Sequence, residues 1–203
     1  MADITLAPGT HHFVDRIGVA WRALSPRRRT VVAGGIAGAV GIALAAAREV
    51  PVASAIALGV VGVLAAGAAV VDVHEHRIPN RLLQAALAVV VVAAALGGWR
   101  TVGDVVVGLL IGSVPLFVVR YDKGLGLGDV KFAAVLGAAG GLVHPGIGLV
   151  AVWAAALASG VFALRTDRMR LALAPWLWAG FVGACAVGLV MVRFGGHAWP
   201  ARF

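Results

Sequence analysis

Runs of apolar residues as long as a membrane is thick, parted by short polar knots, set the pattern of this chain. Residues 30–47, 50–71, 82–99 and 171–192 are each apolar and long enough for a helix that crosses a ~30 Å hydrocarbon layer, which takes roughly 17 to 25 residues. A fifth run, 102–119, carries one charge, Asp104, near its start. Residues 132–164 are too long for one span, and His144-Pro145-Gly146 divides them, so a short piece, 129–143, precedes a full one. The expectation is an all-α fold: a polytopic transmembrane helix bundle of six to seven spans, the seventh being the short piece, which either crosses or re-enters. Ahead of the first run, Phe13, Ile17, Trp21 and Leu24 recur at helical spacing until Pro26 and Arg27-Arg28-Arg29 end the pattern. Residues 1–29 are therefore expected to form an amphipathic helix on the inner leaflet, and residues 30–203 the membrane domain.

Composition agrees. A chain of 203 residues that is 61% hydrophobic, with mean hydropathy +0.97, has too little polar surface for a soluble globule. Its net charge of +8 follows from topology and needs no nucleic acid. With the N-terminus in the cytoplasm and seven crossings, the inner segments hold Arg16, Arg22, Arg27, Arg28, Arg29, Arg77, Arg81, Arg120, Lys123, Lys131, Arg165, Arg168 and Arg170. Only Arg48, Arg100, Arg193 and Arg202 fall outside, the asymmetry that basic loops retained in the cytoplasm produce. No cleavable signal peptide is expected, because polar or mixed residues fill the segment before the first run.

Glycines four apart, Gly34/Gly38, Gly108/Gly112 and Gly137/Gly141, are expected to let helix backbones approach closely in lipid. The lone Cys185 excludes a disulfide and a thiolate zinc site within the chain. Most of the six tryptophans fall near the ends of runs, as interfacial anchors do.

Against this background two acids stand out. Asp72 closes an apolar run in Asp72-Val-His-Glu-His-Arg-Ile-Pro79-Asn80, and Asp129 opens another in Gly126-Leu-Gly128-Asp129-Val-Lys131. Ionisable groups at the edge of a hydrocarbon layer are costly and mark function. Alone, Asp129 is equally a cap for the helix that follows it. Together on one membrane face, the two carboxylates would share a proton, one acid donating while its partner activates water. The glycines beside Asp129 allow another backbone to come close, and Pro79 pre-sets the start of a helix.

These two motifs, in this order, resemble those of the type IV prepilin peptidases and the related archaeal preflagellin peptidases, membrane aspartyl proteases of the GxGD class. The resemblance covers most of the multi-span core, from about residue 50 to the region of 160. It implies that Asp72 and Asp129 are the catalytic pair. It also implies that Gly126, Gly128, Pro79, Asn80 and Lys131 flank the substrate. The implied activity is removal of the basic leader of a prepilin or pilin-like precursor at the cytoplasmic face of the cell membrane, with no cofactor and no metal. Long members of the family carry paired Cys-x-x-Cys motifs associated with N-methylation. Their absence here implies a peptidase-only form, similar to those serving Flp or Tad-type pili.

Other readings compete. A small proton- or cation-coupled transporter would use the same two aspartates as a binding site, and a catalytically silent assembly partner would need neither. His74, Glu75 and His76 are expected to form an exposed polar turn in preference to a metal site. Lys131 either restrains the Asp129 carboxylate or faces lipid headgroups. Tyr121-Asp122 has the form of the first catalytic motif of presenilin-like proteases, but is expected to lie in the loop before Asp129 without a span of its own. Asp104 is expected on the outer face, away from the pair.

Overall fold

The computed structural model describes Ile36 and residues 50–123, 126–166 and 172–194. Regular structure among them is entirely helical: α1 (Val52–Glu75), α2 (Asn80–Gly97), α3 (Trp99–Lys123), α4 (Leu127–Gly141), α5 (Ile147–Thr166) and α6 (Ala174–Phe194). The surface helix expected over 1–29 and the run 30–47 lie outside the described residues, except Ile36, which is helical and packs against the core.

Proline and glycine set the boundaries. α1 begins behind Pro51 and α2 behind Pro79, whose φ of −68° leads into the helix. α2 ends where Gly98 takes φ 85°, a conformation that favours glycine. Between α4 and α5 the His144-Pro145-Gly146 break closes on itself, the Gly146 N–H donating to His144 Nδ1 at 3.0 Å. α6 starts at Ala174-Pro175, where a missing N–H leaves no helical bond unmade.

α1, α2 and α3 are long and apolar enough to cross a membrane, and α5 and α6 contain shorter apolar stretches, Ile147–Phe162 and Ala174–Val190. This is a helical membrane protein. α4 differs from the rest: its 15 residues span about 22 Å at 1.5 Å per residue, too short to cross. It is apolar all round and buried on all sides from Val135 to Gly141, the mark of a helix at the centre of a bundle, and it packs against each of the other five.

The contact between α3 and α4 is the tightest. A Cβ on Gly108 would collide with the Gly137 carbonyl oxygen, and one on Gly137 with the Gly108 oxygen. A Cβ on Gly112 would lie 2.8 Å from the Ala133 oxygen, and one on Gly141 2.5 Å from the Asp104 oxygen. The expected close approach of backbones is therefore present for Gly108/Gly112 and Gly137/Gly141, in an antiparallel register; Gly34/Gly38 lies outside the described residues. The far side of α3 exposes Val107, Val114 and Val118, as a lipid-facing surface does.

α6 is fixed by its aromatics. The Trp178 indole donates to the Gly62 carbonyl of α1 at 3.0 Å, and the Trp176 ring lies 5.3 Å from that of Phe162 on α5. Trp178 is buried and ties helices together, a role other than the interfacial anchor expected of most of the tryptophans; Trp99 and Trp153 are exposed.

Candidate active site

α1 continues one turn beyond Asp72, through His74 and Glu75, before it stops. What stops it is His76, whose φ of 49° and ψ of 37° place it in the left-handed region while its N–H donates to the Asp72 carbonyl oxygen at 2.9 Å. A side chain there costs about 1 kcal/mol, and the reversal it produces turns the chain sharply towards Ile78. The polar cluster expected as an exposed turn is thus the last turn of a helix and its cap. Among the described residues no group of three His, Cys, Asp or Glu side chains is arranged to hold a metal ion.

Asp72 is almost fully enclosed, 5% exposed, and its Oδ2 accepts from the Ala174 N–H at 3.4 Å, a long hydrogen bond. That donor is the first residue of α6, itself wholly buried, so the carboxylate faces the positive end of a helix 102 residues further along the chain. Trp178 and Trp176, by tying α6 to α1 and α5, hold this end over Asp72.

Asp129 is held differently. α4 begins at Leu127, two residues before the acid, with Gly126 as its N-cap. Asp129 is therefore the third residue of the helix, and its carboxylate reaches back to accept from the Gly126 N–H, as the acid of a capping box does. A Cβ on Gly126 would lie 3.0 Å from Asp129 Oδ2, so the carboxylate occupies the space a side chain would need. Gly128 faces the other motif: a Cβ there would meet Ile78 at 3.6 Å, ordinary contact. Ile78 is buried, Pro79 half-buried, and Asn80 exposed at the start of α2.

The two acids come together where α1 meets α4. Asp129 lies in the partly exposed first turn of a helix that does not span. Burial first, and the charge of Asp72 second, push its carboxyl up to about 6, while the Gly126 N–H favours the anion. Lys131 is exposed and sits roughly 200° round α4 from Asp129, on the opposite side of the helix. Asp104 is at the other end of α4, against Gly141. Asp122 requires a correction: α3 runs through Lys123, so Asp122 stands in the last turn of an apolar helix and not in a loop.

A family model, the type IV leader peptidase family, matches residues 58–164, just over half of the chain, a stretch that holds both motifs. The chain belongs to the type IV leader peptidase family. No curated protein and no solved structure matches it closely enough to add to this. Of the residues around the two acids, sequence reasoning missed the Ala174 N–H and Ile78. Ala174-Pro175 is a legible helix start, but nothing in it points to Asp72; Ile78 stands beside Pro79, and its contact with Gly128 depends on the turn at His76.

Proposed function

We propose that this leader peptidase is a membrane-embedded aspartyl endopeptidase that removes the leader of type IV pilin-like precursors at the cytoplasmic face of the membrane. Asp72 and Asp129 would be its acid–base pair. What supports this reading is that the charge of Asp72 acts on the Asp129 carboxyl, and that each acid is held by a backbone N–H at a helix start and stands at the end of an apolar helix. The ionised carboxyl takes a proton from water, the oxygen attacks the scissile carbonyl carbon, and the protonated carboxyl gives its proton to the carbonyl oxygen. Collapse breaks the C–N bond and returns a proton to the leaving amine, with no cofactor.

The substrate side rests on topology. A precursor with a basic leader in the cytoplasm and an apolar helix in the membrane carries its scissile bond at the depth of such a pair. Gly126, Gly128, Pro79, Asn80 and Lys131 are the proposed flanking residues, and Ile78, next to Pro79, lies at ordinary contact distance from a Cβ on Gly128. Methyl transfer is not part of the proposal, since the only cysteine, Cys185, is buried within α6. The test is a co-expressed pilin-type precursor in membranes, read as a mobility shift. Wild type yields the shortened product, whereas ion-dependent flux through vesicles without any product would favour the transporter.

A further inference from the structure

Among the described residues His76 is the one non-glycine with a positive φ, 49°, and it occupies the C-cap of α1. A helix most often places glycine in this left-handed conformation, because glycine has no side chain to strain. The chain holds 28 glycines and puts none here. A side chain kept in a strained turn beside a candidate acid points to a use for that side chain.

The use lies one turn back. His76 follows Asp72 by four residues, and its N–H donates to the Asp72 carbonyl oxygen at 2.9 Å, so the two stand one above the other at the same helix end. The charge of His76 acts on the Asp72 carboxyl, which also accepts from the Ala174 N–H. A donor and a cation both suit an ionised carboxylate. Asp129 keeps different company: besides the Gly126 N–H, it meets the negative charge of Asp72. The other charged side chains described at this end are Glu75 on α1, Arg77 in the turn, Arg81 on α2, Arg120 on α3 and Lys131 on α4. Among these cations His76 is the one whose charge reaches Asp72.

Taking the protein as a leader peptidase, we propose that His76 is a positioning residue that holds Asp72 as the ionised member of the pair, so that Asp72 activates water and Asp129 keeps the proton it donates. Asp72 takes a proton from water as the oxygen bonds to the scissile carbon, and Asp129 protonates the carbonyl oxygen. When the C–N bond breaks, Asp72 passes its proton to the leaving nitrogen and Asp129 regains one from the diol. Both acids end as they began.

The test uses the full chain in neutral-lipid vesicles with a synthetic precursor that has a basic leader and an apolar helix. His76→Asn and His76→Gly suit the left-handed turn and remove the charge, so both variants should be no less stable than wild type. His76→Arg keeps the charge. One readout is kcat and KM across pH; the other is the infrared band of the protonated Asp72 carboxyl, identified by its loss in Asp72→Asn. In His76→Asn and His76→Gly, kcat should fall about three- to tenfold on the acidic limb with KM unchanged, and that limb should move to higher pH. The Asp72 band should also appear at higher pH than in wild type, whether or not precursor is present. His76→Arg should return both limb and band towards wild type, and added salt should narrow the gap between wild type and His76→Asn, since His76 is exposed. A limb and band that stay in place in His76→Asn overturn the proposal whatever the rate does, because a histidine that only caps the helix moves neither. So does a His76→Arg protein whose limb and band match those of His76→Asn. A band that moves in a protein whose wild type cleaves nothing would overturn the peptidase reading alone; cleavage with limb and band unmoved would overturn the role of His76 alone.

Discussion

Asp72 and Asp129 meet at one site but are held in opposite ways. Asp129 is secured locally: its own helix start supplies the N–H, and Gly126, three residues back, leaves the room. Asp72 is secured from afar, by an N–H on a helix that begins 102 residues later and reaches it through the packing of α6 on α1 and α5, to which Trp178 and Trp176 contribute. Asp72 is nearly sealed, and Asp129 remains partly open. A short motif therefore builds half of the site, and the packing of the whole bundle builds the other half.

The largest effect should come from removing either acid. Asp72→Asn and Asp129→Asn are each expected to lower precursor cleavage by at least a hundredfold, the low end of what a positioned acid or base contributes. The protein should stay in the membrane in both cases. Near-wild-type processing by one variant would remove that aspartate from the mechanism and leave the comparison without its second term.

The two settings also predict a pH profile. A pair that works with one shared proton is active between its two apparent pKa values, and the raised Asp129 carboxyl, at about 6, points to the upper one. kcat/KM should fall on the alkaline side of about 6, approaching tenfold per pH unit, because the proton that one acid must donate is then lost. A rate that is flat from pH 5 to 8 would mean that no shared proton limits the reaction.

The glycines divide the same way. At Gly126 an added methyl meets the carboxylate at 3.0 Å, so Gly126→Ala should push Asp129 aside by a few tenths of an ångström and cost on the order of tenfold in kcat. At Gly128 the methyl meets only Ile78 at 3.6 Å, so Gly128→Ala should cost less. If the order is reversed, with Gly128→Ala the more damaging in KM, the second glycine is kept clear for substrate.

Much of this was legible in the sequence because the governing interactions are local. Apolar run lengths placed α1, α2, α3 and α6 to within a few residues, and His144-Pro145-Gly146 placed the α4–α5 break. Glycine spacing foretold close backbone packing at Gly108/Gly112 and Gly137/Gly141, since closeness of approach depends on the missing side chains themselves, but not that the two pairs meet each other. The central position of α4 was not legible: a helix buried on all sides has no polar face to betray its surroundings. Nor was the Ala174–Asp72 contact, which depends on where α6 docks. The end of α3 was misjudged for a simpler reason, because charged residues at the edge of a membrane continue a helix as readily as they begin a loop, and Tyr121-Asp122-Lys123 continue it.

That misjudgement makes the smallest expected effect the most discriminating. With Asp122 in the last turn of α3, and α3 packed along α4, the presenilin-like alternative that pairs Asp122 with Asp129 has a helix to carry it. What favours Asp72 is that its charge acts on the Asp129 carboxyl, and that its own carboxylate is held at the buried start of α6. Asp122→Asn should then behave as a change at a helix end away from the chemistry, altering cleavage by less than about threefold and stability by within about 0.5 kcal/mol. Measured beside Asp72→Asn in the same membranes, the two variants should differ by well over an order of magnitude. If instead Asp122→Asn abolishes cleavage while Asp72→Asn processes the precursor, the acid captured by α6 is a structural tie between helices, and the working partner of Asp129 is the one its neighbour α3 carries.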